Sequence, residues 1–314
     1  VVSVTRRLAV AAATLGLVAA ASAGAPAAQA RTLDYWVAAV PTWWNIVPNG
    51  RDAMMGTTIA PADSVIHTVV YQRFTAGWRR RIANAPRSSA DGMQIPGPLI
   101  HARVGDRLRI HFKNLDTLWR LPHSMHFHGV HYTPANDGAY IPGFSGPGAD
   151  VLPGHTFTYR LTAGADSAGI WPYHDHSPSM EQSIAGGMFG MLSILGRHQR
   201  RPDREFEVVF SSFGKFMAID GRAFVGNTPV FHARVGQLVQ WDVMAMGSDF
   251  HTFHVHGHRW IGPGGVPTDT QTVGPAQSFE IRWREDAPGT WLYHCHVETH
   301  MMNGMIGIYR VSRR

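Results

Sequence analysis

Gly289-Thr290-Trp291-Leu292-Tyr293-His294-Cys295-His296 repeats an earlier stretch of the same chain, Gly169-Ile170-Trp171-Pro172-Tyr173-His174-Asp175-His176. Two further blocks repeat with it. His101-Ala102-Arg103-Val104-Gly105 returns unchanged as His232-Ala233-Arg234-Val235-Gly236, and His123-Ser124-Met125-His126-Phe127-His128-Gly129 returns as His251-Thr252-Phe253-His254-Val255-His256-Gly257. Three blocks in one order and at similar spacing indicate two copies of one domain. In both copies the segments 106–112, 156–161, 207–210 and 279–283 mix β-branched and aromatic residues with alternating polar ones, as antiparallel strands do. Turns such as Pro96-Gly97-Pro98 and Gly262-Pro263-Gly264-Gly265 punctuate them, and 33 glycines with 20 prolines argue against long helices. The expected fold is all-β: two tandem Greek-key β-sandwiches over residues 31–196 and 206–314, joined by the charged linker 197–205. The block Trp36–Gly56, rich in tryptophan, is expected to add strands or edge cover to domain 1.

Residues 1–30 read as an export leader. Arg6 and Arg7 precede an alanine-rich apolar stretch, and Ala28-Gln29-Ala30 is a small-residue cleavage site. Thr5-Arg6-Arg7-Leu8 suggests the twin-arginine route, with a general secretory signal as the alternative. The expected location is extracellular or in the cell envelope, with no membrane attachment after cleavage. A single cysteine, Cys295, rules out an internal disulfide, and a free thiol in an oxidising compartment needs an occupant. The formal charge of +6 is spread along the chain without aromatic interleaving, which argues against a nucleic-acid partner.

Cys295, His300 and Met305 supply a thiolate, an imidazole and a thioether at short spacing, the ligand types of a blue-copper site. On a strand, alternation turns His294 and His296 to the face opposite Cys295, so one peptide can serve metals on both sides. The His-x-His pairs 126/128, 174/176, 254/256 and 294/296 each place two imidazoles on one face; random placement of 19 histidines would give about one such pair. Eight imidazoles suit two or three borderline metals. Structural zinc takes four ligands, often several cysteines, and would not require the Cys-His-Met set. The first copy carries Asp175, Met180 and Ala185 where the second has Cys295, His300 and Met305. Domain 1 therefore lacks the thiolate site, and His123 there reads as structural. His258 has no counterpart in domain 1 and stays unassigned beyond a supporting or surface role.

Over nearly all of residues 31–314, these motifs resemble those of the multicopper oxidases, and specifically the two-domain bacterial small laccases. The resemblance implies cupredoxin-like domains and four coppers per chain. His251, Cys295, His300 and Met305 would hold the type 1 copper, and His126 and His254 the type 2 copper. His128, His174, His176, His256, His294 and His296 would hold the type 3 pair. It also implies proton delivery by Asp137 and an electron-donating role for Tyr132, and assembly as a homotrimer with clusters at chain interfaces. The implied reaction is one-electron oxidation of phenols and aromatic amines coupled to reduction of O2 to water. Alternatives are a cuprous or other metal-ion oxidase, to which Met301 and Met302 could contribute, and a copper-binding or electron-transfer protein without turnover. Copper nitrite reductases share the fold but carry the blue site in the first domain.

Overall fold

The computed structural model describes residues 30–83 and 95–313. Apart from Ala30, the expected leader lies outside the described residues. The first sandwich is built from β1 (Thr32–Asn45), β2 (Val65–Phe74), β3 (Arg81–Ile82), β4 (Ile100–Arg103), β5 (Arg107–Asn114), β6 (His126–Phe127), β7 (Thr156–Thr162), β8 (Gly169–His174) and β9 (Phe189–Leu195). The second comprises β10 (Arg204–Phe213), β11 (Phe216–Ile219), β12 (Val230–Arg234), β13 (Leu238–Ala245), β14 (His251–Val255), β15 (Trp260–Ile261), β16 (Pro267–Thr268), β17 (Thr270–Val273), β18 (Ser278–Arg284), β19 (Gly289–Cys295) and β20 (Ile306–Ser312). Among the described residues, three α-helices of four to six residues interrupt them: α1 (Pro61–Ser64), α2 (Met180–Ala185) and α3 (Glu298–Met302). None is long and apolar enough to cross a membrane.

The sheets have the strand orders β3-β2-β1-β5-β7 and β4-β9-β8-β6 in the first sandwich, and β11-β10-β13-β18 and β12-β20-β19-β14-β17 in the second. The expectation of purely antiparallel strands needs correction. β1–β5, β4–β9, β10–β13 and β12–β20 pair in parallel. Each joins strands far apart in sequence, as Greek-key crossovers require, and such pairing leaves no local turn signal. Of the two expectations for the Trp36–Gly56 block, strands or edge cover, the structure shows a strand: β1 runs through its first part and lies between β2 and β5 at the centre of its sheet.

Each sandwich has its own core. One gathers Tyr71, Phe112, Phe127, Tyr159 and Tyr173, the other Phe206, Phe231, Trp241, Phe253 and Tyr293. A third apolar cluster runs across the junction, where Trp44, Ile46, Ile95 and Phe189 meet Phe213, Phe216, Phe224 and Met244. Trp44 donates its indole N–H to the Gly221 carbonyl at 2.6 Å, and the Arg222 guanidinium lies 3.8 Å from the centre of its ring. Such a stacked cation contributes about 0.5–2 kcal/mol. The two sandwiches are thus one packed unit.

A second contact across the junction is acidic. The registers Glu205–Gln240–Arg282 and Glu207–Asp242–Glu280 place these side chains on one face of the β10-β13-β18 sheet. That face lies against the first sandwich. Glu205 binds His101 Nε2 and accepts from Ser193 Oγ, both at 2.7 Å, and Ser278 Oγ donates to the Ile170 carbonyl.

Candidate metal centres

β14 and β19 pair so that Phe253 stands opposite Cys295 and His254 opposite His294. The chain leaves β19 at Cys295 and winds through α3, which brings His300 back beside the sulfur. Cys295 Sγ lies 3.8 Å from His251 Nδ1 and 3.7 Å from His300 Nδ1, and these nitrogens are 3.1 Å apart. A point equidistant from all three lies about 2.1 Å from each, a metal–imidazole bond length. Met305 is fully buried, and its backbone bonds to both neighbours: its N–H donates to the His300 carbonyl, and its carbonyl accepts from the Cys295 N–H. Burial, then the neighbouring His300, lowers His251 to about 4, so it is a neutral imidazole at pH 7. Burial pushes the Cys295 thiol up, so a coordinating cation is needed to hold it as thiolate. The three converging donors, one soft sulfur and two imidazoles, fit copper.

On the other face of β14 and β19 the histidines form a quartet, and β6 and β8 carry a second one in the first sandwich. In the second sandwich His294 donates its Nδ1 proton to the Cys295 carbonyl at 2.9 Å, which leaves Nε2 bare and 3.1 Å from His256 Nε2. In the first, His174 donates to the Asp175 carbonyl at 2.9 Å, and its Nε2 lies 3.2 Å from His128 Nε2. His126 and His254 likewise spend Nδ1 on backbone carbonyls, those of Asp137 and Asp269. Outer bonds of this kind fix the tautomer of a metal-binding imidazole. Burial lowers His128, His174 and His294 to about 4 and lowers His256 too, with nearby imidazoles adding to the effect. Neutral rings with bare nitrogens facing one another suit a shared cation. His176 and His296 complete the quartets, with rings 5.4 Å from those of His126 and His254. Among the described residues the candidate groups are three: His126/His128/His174, His254/His256/His294 and His251/Cys295/His300. None takes atoms from both quartets.

Where the first sandwich lacks a thiolate, a different device fills the space. His123 is fully buried between Asp175, 3.1 Å from Nδ1, and Asp116, 3.2 Å from Nε2. Asp175 also accepts from the Ser124 N–H at 2.7 Å. His123 is thus held in a structural network. The Asp137 carboxylate lies 3.3 Å from His126 Nδ1, and the Tyr132 ring is 6.2 Å from that of His126. Burial, with Asp137 beside it, pushes the Tyr132 phenol up to about 12, so it keeps its proton at neutral pH. The adjacent His131 is an exposed partner of Asp166, and Glu298 faces solvent. Asp269 was not singled out by sequence reading. It follows His254 by fifteen residues where Asp137 follows His126 by eleven, and only the shared carbonyl bond reveals the match.

Sequence profiles described as multicopper oxidase match residues 86–199 and 198–314. The chain belongs to the multicopper oxidase family, a family of copper oxidoreductases. Among curated proteins it is 33% identical to a probable nitrite reductase-hydroxylamine oxidoreductase fusion protein of Kuenenia stuttgartiensis, over 69% of this chain and 28% of that protein. It is 28% identical to ferroxidase HEPHL1 of Homo sapiens over 90% of this chain and 29% of that one. Human ceruloplasmin is also 28% identical, over 88% of this chain and 30% of its own length. The chain thus spans less than a third of these relatives. A solved multicopper oxidase superposes with a TM-score of 0.66 at 25% identity, covering 90% of this chain and 89% of that one. A blue copper oxidase from Nitrosomonas europaea gives 0.67 at 21% identity over 90% and 86%, a likeness of fold.

Proposed function

We propose that this chain is a laccase-type oxidase holding four coppers. The type 1 copper would be bound by His251, Cys295, His300 and Met305, and the type 2 copper by His126 and His254. The type 3 pair would be bound by His128, His174, His176, His256, His294 and His296. Copper held there supplies one-electron oxidation of a reductant at the thiolate site and reduction of O2 to water at the histidines. The observation that carries this reading is the shared strand: Cys295 and His294 are consecutive on β19, one facing each site, and the Cys295 carbonyl fixes the His294 tautomer. Asp137 is suited to pass protons toward the type 2 position, since its carboxylate touches His126. Phenols and aromatic amines are favoured as reductants by the surroundings of His251, where the preceding Phe250 is 65% exposed. Copper analysis with spectra tests the core of the proposal. Four coppers per chain, an intense blue band and a near-ultraviolet shoulder are expected; tightly bound zinc and no blue colour would overturn it.

A second reading, oxidation of metal ions, is favoured by Asp249, whose charge acts on both His251 and His300. A carboxylate at the electron-entry edge would attract a cation. Oxygen uptake separates the two. The phenol reading expects sustained turnover of 2,6-dimethoxyphenol, unaffected by Asp249→Asn. The metal reading expects faster turnover of Fe(II) or Cu(I), lowered by that substitution.

The separation of the quartets within one chain supports assembly between chains, as does the exposure of His296. The first quartet of one chain would meet the second quartet of a neighbour, in a trimer with three clusters. Sedimentation of the copper-loaded protein is expected to find activity only in the oligomer. An active monomer would refute interchain pairing.

A further inference from the structure

His258 follows His256 by two residues and is buried, where the first sandwich has Val130. Its Nδ1 donates to the His256 carbonyl at 2.8 Å and its Nε2 to Glu285 Oε1 at 3.0 Å. Glu285 is saturated with further donors. Oε1 accepts from the backbone N–H groups of Asp286 and Ala287, and Oε2 from Trp283 Nε1 and the Tyr309 hydroxyl.

The first sandwich fills the same place with hydrocarbon. Gly105 N–H donates to the Ala163 carbonyl as Gly236 N–H does to that of Glu285, so Ala163 stands for Glu285. Trp171 pairs with Leu192 as Trp291 pairs with Tyr309, so Leu192 stands for Tyr309. Leu108 pairs with Leu161 as Val239 pairs with Trp283, so Leu161 stands for Trp283. This fold therefore closes its core here with Val130, Leu161, Ala163 and Leu192, and the polar network is no requirement of the architecture. A buried network of this kind adds definition more than stability.

What distinguishes the second sandwich is β14. It carries His251 toward the thiolate site and His254 toward the quartet, with His256 one residue beyond its end; the corresponding β6 has only two residues. The sharp turn that follows is common to both sandwiches: Gly257, with φ of +72° over the Trp291 ring, matches Gly129, with φ of +68° over the Trp171 ring, and only the second copy places a histidine directly after it. The turn takes the His256 carbonyl away from the strand pairing, and His258 supplies its donor.

We infer that His258 and Glu285 form a clamp that holds the His256 backbone and so aims His256 Nε2 at His294 Nε2. Both are positioning residues, acting through the His256 carbonyl. The inference rests on the reading of the quartets as copper sites.

The test compares the copper-loaded full chain with the triple variant His258→Val/Glu285→Ala/Tyr309→Phe, which removes the clamp without leaving a buried charge or phenol unpaired. Glu285→Gln is the milder variant should the triple fail to fold. Chelator competition follows the near-ultraviolet shoulder and the blue band separately, well below the melting temperature. The clamp predicts an unchanged blue band and a copper affinity at the histidine site lowered by about 10-fold in the triple variant, less in Glu285→Gln. Wild-type affinity with only a lower melting temperature would show the network to be merely structural, as would equal loss of both bands. Wild-type protein without copper at the quartets would instead sink the underlying copper reading.

Discussion

Cys295→Ser, loaded with copper, is expected to lose the blue band entirely while keeping the near-ultraviolet shoulder. The substitution is small: Cys295 is fully buried, and serine fits its volume. What changes is the donor. Three atoms, two imidazole nitrogens and one sulfur, surround a point about 2.1 Å from each, and only the sulfur is soft enough to give the charge-transfer colour and hold Cu(I). The quartet on the opposite face keeps every ligand, because His294 takes its orientation from the backbone carbonyl of residue 295 rather than from its side chain. Oxygen uptake with any external reductant should fall by more than about 100-fold, beyond what loss of an outer partner costs a metal site. Full turnover in the serine variant would mean that electrons enter elsewhere, and the shared-strand argument would fail.

The histidine groups and the thiolate site proposed to hold copper were legible in the sequence for a physical reason. Ligands on strands must recur at a spacing of two to share a face, and the internal repeat displayed each spacing twice. The missing thiolate in the first sandwich was legible too, as Asp175 in place of Cys295. What that aspartate does was not, because its partners His123 and Ser124 lie 52 and 51 residues away. The central place of β1 was hidden similarly: its parallel partner β5 begins some 60 residues after it ends, with no local turn to announce the pairing. His258 stayed open between a supporting and a surface role, because a histidine without a repeat partner cannot be placed until the residues facing it are known. Along β10, the polar residues Glu205 and Glu207 alternate with apolar ones, the signature of a half-solvated strand. The first sandwich covers that face, and alternation alone cannot tell a solvated face from one covered by a neighbouring domain.

That covered acidic face should set the response of the protein to alkaline pH. Asp242 is completely buried and Glu207 nearly so, and one oxygen of each carboxyl lacks a hydrogen-bond partner. Burial raises Glu207 well above the usual carboxylate range, with Asp220 and Glu205 adding to it; burial and then Glu205 do the same for Asp242. Glu280 is raised by burial as well, with Arg282 opposing. Glu205 goes the other way: the His101 imidazole, then the Asp242 carboxyl and the Ser193 hydroxyl, outweigh burial and keep it ionised. Folded protein therefore binds protons at Glu207 and Asp242 that the unfolded chain has released above about pH 4. Their contribution is complete below that pH and is lost as pH rises through the elevated folded-state values. Glu207→Gln and Asp242→Asn replace a carboxyl by an amide that cannot ionise. Each is expected to match wild type near pH 5 and to exceed it at pH 8–9 by about 1–3 kcal/mol, the cost of an unsatisfied buried group. In a chain of this size that is a gain of several degrees in melting temperature. Melting temperatures across pH 5–9 decide the matter: curves that converge at acid pH and separate at alkaline pH fit the junction as described. Parallel curves would mean that these carboxyls hold the same charge folded and unfolded.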